Sequence, residues 1–142
     1  MILLDTNVLS ELMRPKPEPT VVLWISTQRT DDLCISSITM AEILHGVARL
    51  PKGKRQRDLH ESAMIMFEED FGERILPFDT PAALYYAHLM TTRGQAGRPM
   101  SMADAQIAAI CRTHDAALAT RNIRDFEESG VDLINPWQPL EI

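Results

Sequence analysis

The sequence is short of the features that would mark a stapled, metal-fingered or membrane fold. Cysteine occurs only twice in 142 residues, as Cys34 and Cys111. The two are far apart, fit no C-x-x-C spacing and read as small buried hydrophobes, which excludes a disulfide scaffold. The four histidines, His45, His60, His88 and His114, form no H-x-x-x-H pair, so no zinc site is expected. No stretch approaches the roughly 20 apolar residues of a membrane span. The first residues have no basic flank, and Asp5 interrupts their apolar run too early for a signal peptide, so the cytoplasm is the expected location. Internal repeats, low-complexity tails and long linkers are also missing. Positive charge is scarce: 14 Lys and Arg against 20 Asp and Glu give a net charge of −6, which argues against generic attraction to nucleic acid. It does not exclude a phosphodiester substrate, because acids that hold a cation contribute to that total. The basic residues that do cluster, Lys52, Lys54, Arg55 and Arg57, read as a solvated helix start.

What is present is an alternation of short apolar runs and helical patterns. Strand-like runs cover 2–4, 33–36, 75–78, 117–120 and 131–134, with helical candidates near 7–13, 20–28, 38–50, 54–70, 81–93 and 103–114. Such alternation implies crossover connections and a parallel sheet covered on both faces. One α/β domain spanning residues 1–142 is expected, with an ordinary apolar fraction of 45%. The run Ile2-Leu3-Leu4 ends at Asp5, and open α/β sheets place their ligand sites at the carboxyl ends of strands. Asp5 is therefore expected at the floor of a cleft.

Other acids fall at comparable places. Glu42 lies on the helix face opposite Met40, Ile43, Leu44 and Val47, beside His45 and Arg49; that is a solvated face or a cleft wall, and periodicity does not separate the two. Asp104 lies on the same side of its helix as Ile107, Ala108 and Cys111, where an unpaired charge is costly to bury. Ser101-x-x-Asp104 also fits a capping box, so cap and site both stay open. Asp125 follows Thr120 and Asn122 at the end of another strand-like run, where a turn or cap explains it equally well. Asp79, before Thr80-Pro81, reads as a helix cap. Gathering Asp5, Glu42, Asp104 and Asp125 at one sheet edge costs about 3 kcal/mol per like-charged pair at ~5 Å. Such a cluster raises its own pKa values or recruits cations, and oxygen-only ligands favour Mg²⁺ or Mn²⁺. A divalent ion held by carboxylates suits phosphate chemistry.

The chain resembles the PIN-domain ribonucleases, specifically the VapC toxins of type II toxin–antitoxin pairs, with the FitB-like branch most similar. The likeness rests on Leu3-Leu4-Asp5-Thr6-Asn7, Thr39-Met40-Ala41-Glu42-Ile43 with Gly46, Ala103-Asp104-Ala105, Ala119-Thr120-Arg121-Asn122 with Asp125-Phe126, and Asn135-Pro136-Trp137. It implies a PIN-like three-layer fold with a five-stranded parallel sheet, and a Mg²⁺-dependent endoribonuclease with Mn²⁺ as a substitute. Asp5 and Asp104 then serve as metal ligands, and Glu42 as a ligand or water-positioning group. Thr6, Asn7 and Thr120 support the site. Arg121 and Arg124 are candidate contacts to RNA phosphates. Some members carry Asp where this chain has Asn122. Either Asp125 supplies the fourth charge, or three acids and an amide suffice; with three acids, one tightly held Mg²⁺ is expected.

The resemblance further implies a homodimer and a cognate antitoxin that blocks the cleft. Tyr85, Tyr86, Leu89 and Met90 are either part of a dimer face or helix core. Three other functions fit the sequence less well. A haloacid-dehalogenase-like phosphatase needs a second Asp at position 7 and a later lysine, but Asn7 stands there and Lys54 is the last lysine. A response-regulator-like module fails on the same lysine. A non-catalytic binding module is disfavoured by four intact acids.

Overall fold

Three of the first four residues form the central strand, β1 (Ile2–Leu4), in a computed structural model that describes residues 1–139. Leu3 turns to one face of the sheet and Leu4 to the other, as strand geometry requires. The same alternation occurs at Cys34 and Ile35 in β2 (Leu33–Ser36) and at Leu118 and Ala119 in β4 (Ala117–Ala119). Both faces of these strands are covered, which is why the runs are apolar throughout. All pairings are parallel, and with β3 (Ile75–Leu76) and β5 (Leu133–Ile134) at the edges the order is β3-β2-β1-β4-β5. The expected five-stranded parallel sheet is borne out.

One face is covered by α1 (Thr6–Leu12), α2 (Pro19–Ser26), α3 (Ser37–Ala48) and α4 (Lys54–Ile65), through Val8, Val21, Ile43 and Ala63 among others. The other carries α5 (Thr80–Gln95), α6 (Met102–His114) and Phe126 of α7 (Ile123–Phe126). Helix α6 is buried along most of its length, and its alanines at 105, 108 and 109 let neighbouring elements approach closely. Leu89 belongs to this core; Tyr85, Tyr86 and Met90 are half-buried against it. Cys34 and Cys111 are buried free thiols, as expected, and burial raises both pKa values. Among the described residues no helix is long and apolar enough to cross a membrane.

From β1 the chain winds outward through β2 and β3; from β4 it winds the other way to β5. The gap between the carboxyl ends of β1 and β4 is therefore the topological switch point, where doubly wound sheets leave a crevice.

The boundaries differ from expectation where chemistry interrupts a pattern. The helix expected over 54–70 is α-helical only to Ile65. It then widens into a π-helical turn, Met66–Phe71, which keeps Phe67 and Phe71 in the core and ends at Gly72 with φ +52°. The run 75–78 pairs only over Ile75–Leu76, because Pro77 has no N–H to give the ladder. At the other edge only Leu133–Ile134 of 131–134 pairs. The four-residue α7 was not among the expected helices, being too short to show a period, although a turn or helix cap was expected at Asp125. At α5 the cap is Asp79, as expected, its Oδ1 accepting from Ala82 N–H at 3.2 Å, and Pro81 is the second helical residue.

Leu118, fully buried in β4, carries this layering. Leu118→Ala is expected to lower the unfolding free energy in urea by about 3 kcal/mol; a loss near zero would contradict the layer assignment.

Candidate active site

As the chain leaves β1, Asp5 N–H completes the ladder by donating to Ala119 carbonyl oxygen at 2.9 Å. The residue stays extended and caps α1, its Oδ1 accepting from Thr6 N–H at 2.8 Å. Its Oδ2 accepts from the buried Thr120 hydroxyl at 2.8 Å and from Asn7 Nδ2 at 3.3 Å. Thr120 Oγ1 in turn accepts from Asn7 Nδ2 at 3.3 Å and from Asn122 N–H at 3.0 Å. Asn7 Oδ1 accepts from Arg121 N–H at 3.2 Å. The ends of β1 and β4 are thereby clamped across the switch point. Asp5 thus caps α1 with one carboxylate oxygen and binds across to β4 with the other.

No basic side chain bonds to Asp5 among the described residues. It is 5% exposed, and burial drives its pKa up to about 6; the Thr120 hydroxyl and Thr6 N–H oppose the rise, while Asp104 and Glu42 add to it.

Glu42 projects from α3 toward α1, where its Oε1 accepts from Thr6 Oγ1 at 2.8 Å. Thr6 Oγ1 lies 2.9 Å from Thr39 Oγ1, which accepts from Ser36 Oγ at 3.4 Å. Because each hydroxyl has one proton, the chain is directed from Ser36 through Thr39 and Thr6 to the Glu42 carboxylate. Glu42 is exposed and lines the cleft, so its helix face is both solvated and a cleft wall.

Asp104 sits in the first turn of α6. Ser101 Oγ accepts from its N–H at 3.2 Å, so the cap exists, yet the cap is the serine. The Asp104 carboxyl is half-buried and held above the ordinary value by burial, eased by Ser101 and raised again by Asp125 and Glu42. Asp125 thus acts on Asp104 electrostatically from α7. Its own segment is braced by the buried Arg93, which donates to the carbonyl oxygens of Asp125 at 3.3 Å and Glu127 at 2.7 Å.

Asp5, Thr6, Asn7, Glu42, Asp104, Arg121 and Asn122 line one open cleft of about 520 Å³. Thr120 lies beneath it, while Asp125 and Arg124 are exposed outside its lining. Three other lining residues, Ser10, Glu11 and Arg14, were not singled out from the sequence, and Trp137, part of the resemblance, was given no place in the site. Glu11 is buried in α1, 3.2 Å from Arg14 Nη1 and 3.3 Å from the Glu18 N–H it accepts. Its i,i+3 spacing to Arg14 was the available signal. Trp137 is turned by Asn135, whose Oδ1 accepts the Trp137 N–H at 2.9 Å, and its ring lies 5.0 Å from the Arg121 guanidinium carbon. Ser36 was not singled out, and Thr39, part of the resemblance, was given no role, although it precedes Glu42 by about one helical turn. Among the described residues no three Asp, Glu, His or Cys side chains already form a set able to hold a metal ion.

A parallel sheet wound in this order, with Asp5, Glu42 and Asp104 from three different elements lining one cleft, matches a PIN-type α/β domain. The PIN-domain family model matches residues 2–130, and the chain belongs to that family. Within it the chain is 40% identical over 139 residues to VapC ribonuclease Y4jK of Sinorhizobium fredii, covering 98% of this chain and 99% of that one. It is 42% identical over 137 residues to Toxin FitB of Neisseria gonorrhoeae, covering 96% and 99%. It superposes on the crystal structure of FitAcB from Neisseria gonorrhoeae with a TM-score of 0.91 at 42% identity, over 96% of this chain and 99% of that one. The expected kinship with VapC and FitB toxins is therefore correct.

The raised Asp5 pKa makes a pH prediction in EDTA. The folded state holds this proton more tightly than the unfolded chain, whose value is near 3.8, so stability falls as pH rises from about 4 through about 6. Asp5→Asn removes that loss. It is expected to match the parent near pH 3 and to exceed it by about 3 kcal/mol at neutral pH. Thr120→Val should destabilise by about 1–3 kcal/mol, more at neutral pH than at pH 5, by taking a donor from the charged form. Urea titrations across pH measure both, and a pH-independent difference would contradict the assignment.

Proposed function

We propose that the chain is a Mg²⁺-dependent endoribonuclease, the toxin of a type II toxin–antitoxin pair, and that residues 1–142 form one nuclease domain. The observation that supports this best is the convergence of Asp5, Glu42 and Asp104, from three separate elements, on one open cleft. The relatives named above carry the words ribonuclease and toxin in their own names, which favours the same reading.

The residues fit a hard cation. Asp, Glu, Thr and Asn offer oxygen donors, and neither thiol nor imidazole lines the cleft. Burial and mutual repulsion hold Asp5 and Asp104 above their ordinary pKa values, so the cleft has unbalanced negative charge. The incomplete ligand set suits Mg²⁺ better than ions that need an all-protein cage, since Mg²⁺ keeps waters and binds through one or two carboxylates plus phosphate. When bound, such an ion neutralises phosphodiester charge and acidifies the attacking water.

In this reading Asp5 and Asp104 hold the ion; Mn²⁺ substitutes. Thr120, Asn7 and Thr6 N–H fix the Asp5 carboxylate. Thr6 engages one oxygen of Glu42, leaving the other to orient water or to join the ligand set. Asn122 supplies an amide at the rim, and Asp125 tunes Asp104 through space. Arg121 and Arg124 meet backbone phosphates. A cognate antitoxin covers the cleft, and the chain pairs as a homodimer.

The test uses the purified chain, free of partner, on structured RNAs with Mg²⁺ or Mn²⁺. Cleavage is expected with either ion and not in EDTA. Asp5→Asn and Asp104→Asn should each lose about a hundredfold or more in activity. Cleavage that survives chelation and both substitutions would sink the metal-site reading. Turnover of phosphomonoesters without cleavage of RNA would favour a phosphatase instead.

A further inference from the structure

The cleft does not end at its acids. Ser10 and Arg14, on its α1 wall, also line a neighbouring open groove of about 600 Å³ whose far wall is the start of α4. Around the acids, Asp5, Glu11, Glu42 and Asp104 face Arg14 and Arg121. In the neighbouring groove Arg14, Lys54 and Arg55 face Asp58 alone. The sign of the surface therefore reverses within one continuous trough.

Sequence reading took the basic run as a solvated helix start. Lys52 and Arg57 fit that description, since neither lines the trough, whereas Lys54 and Arg55 do. Neither Lys54 nor Arg55 has an ion-pair partner among the described residues. Their place in the first turn of α4, where a helix favours acids, gives them no role in stabilising the helix. Arg14 is shared with the Glu11 carboxylate at 3.2 Å, so Lys54 and Arg55 are the uncompensated charges of the groove, against Asp58 alone, in a chain of net charge −6.

A polyanion needs such a groove. The cleft has four carboxylates against two arginines, one of them paired with Glu11, so phosphates there are favoured only beside a cation or Arg121, and those farther along the strand need fixed positive charge elsewhere. The geometry points to the α1–α4 groove as the track for one arm of the RNA strand. Its scissile phosphate lies at Asp5 and Asp104, the strand passes Ser10, and Arg14, Lys54 and Arg55 hold the adjoining phosphates. This assignment rests on the ribonuclease reading above.

Binding and cleavage test the two separately. Fluorescence anisotropy in the Asp5→Asn background, in EDTA, follows a labelled single strand of about 15 nucleotides. Adding Lys54→Gln and Arg55→Gln is expected to weaken binding roughly tenfold at about 0.15 M salt, and to flatten the log–log salt slope by about 1.4. Arg29→Gln, which removes one positive charge ahead of the amino end of β2, away from the carboxyl ends where the trough lies, should leave both unchanged. In the chain that retains Asp5, the double variant should raise KM for the long strand and leave cleavage of a dinucleotide unaltered. A double variant indistinguishable from Arg29→Gln in affinity and slope would overturn the track, and is the result expected if the groove is reserved for a segment of a protein partner. Groove-dependent binding by a chain that cuts no RNA would support the track and contradict only the ribonuclease reading.

Discussion

The Asp5 carboxylate accepts hydrogen bonds from the amide that follows it, from a side chain two residues on, and from a hydroxyl 115 residues away. The last of these dictates the most. Thr120 reaches Asp5 only because β4 lies beside β1 in register, Leu4 opposite Ala119, and the sheet order that places them there opens the crevice above. The fold thus spends stability on a charge that burial disfavours, a pattern usual for functional sites. Hydroxyls and amides around Asp5 reduce that cost without neutralising it, and leave it to respond to a cation.

The charge pattern extends outward from this point. Acids gather where strands end, arginines and a lysine stand farther along the trough, and Arg121 is held over Trp137 at the rim. The hydroxyl chain from Ser36 to Glu42 orders the second acid from within the protein, as Thr120 and Asn7 order the first. Both acids are fixed by neutral donors. Basic partners would have paired with the carboxylates and removed the excess charge that suits them to an ion.

Much of this was legible in the sequence, for physical reasons. Ile2–Leu4 and Leu33–Ser36 were read at their observed boundaries because burial on both faces demands unbroken apolar runs. The burial of α6 was legible because Ile107, Ala108 and Cys111 recur at the helical period. Glu42 was ambiguous because a cleft wall and a solvated face are both polar. The Ser36–Thr39–Thr6 chain was hidden because it joins residues 33 positions apart through hydroxyls that no period distinguishes. Glu11 was missed because buried acids are rare enough to be read as surface. The widened turn at Met66–Phe71 and the four residues of α7 depend on tertiary packing, which local patterns do not encode.

The central claim is that Asp5 and Asp104 share one divalent cation. Calorimetric titration of Mn²⁺ into the partner-free chain near neutral pH reads it without any substrate. The account predicts saturable binding of about one ion per chain, competed by Mg²⁺ and abolished by either Asp5→Asn or Asp104→Asn. Absence of binding, or binding that both substitutions leave intact, would contradict it.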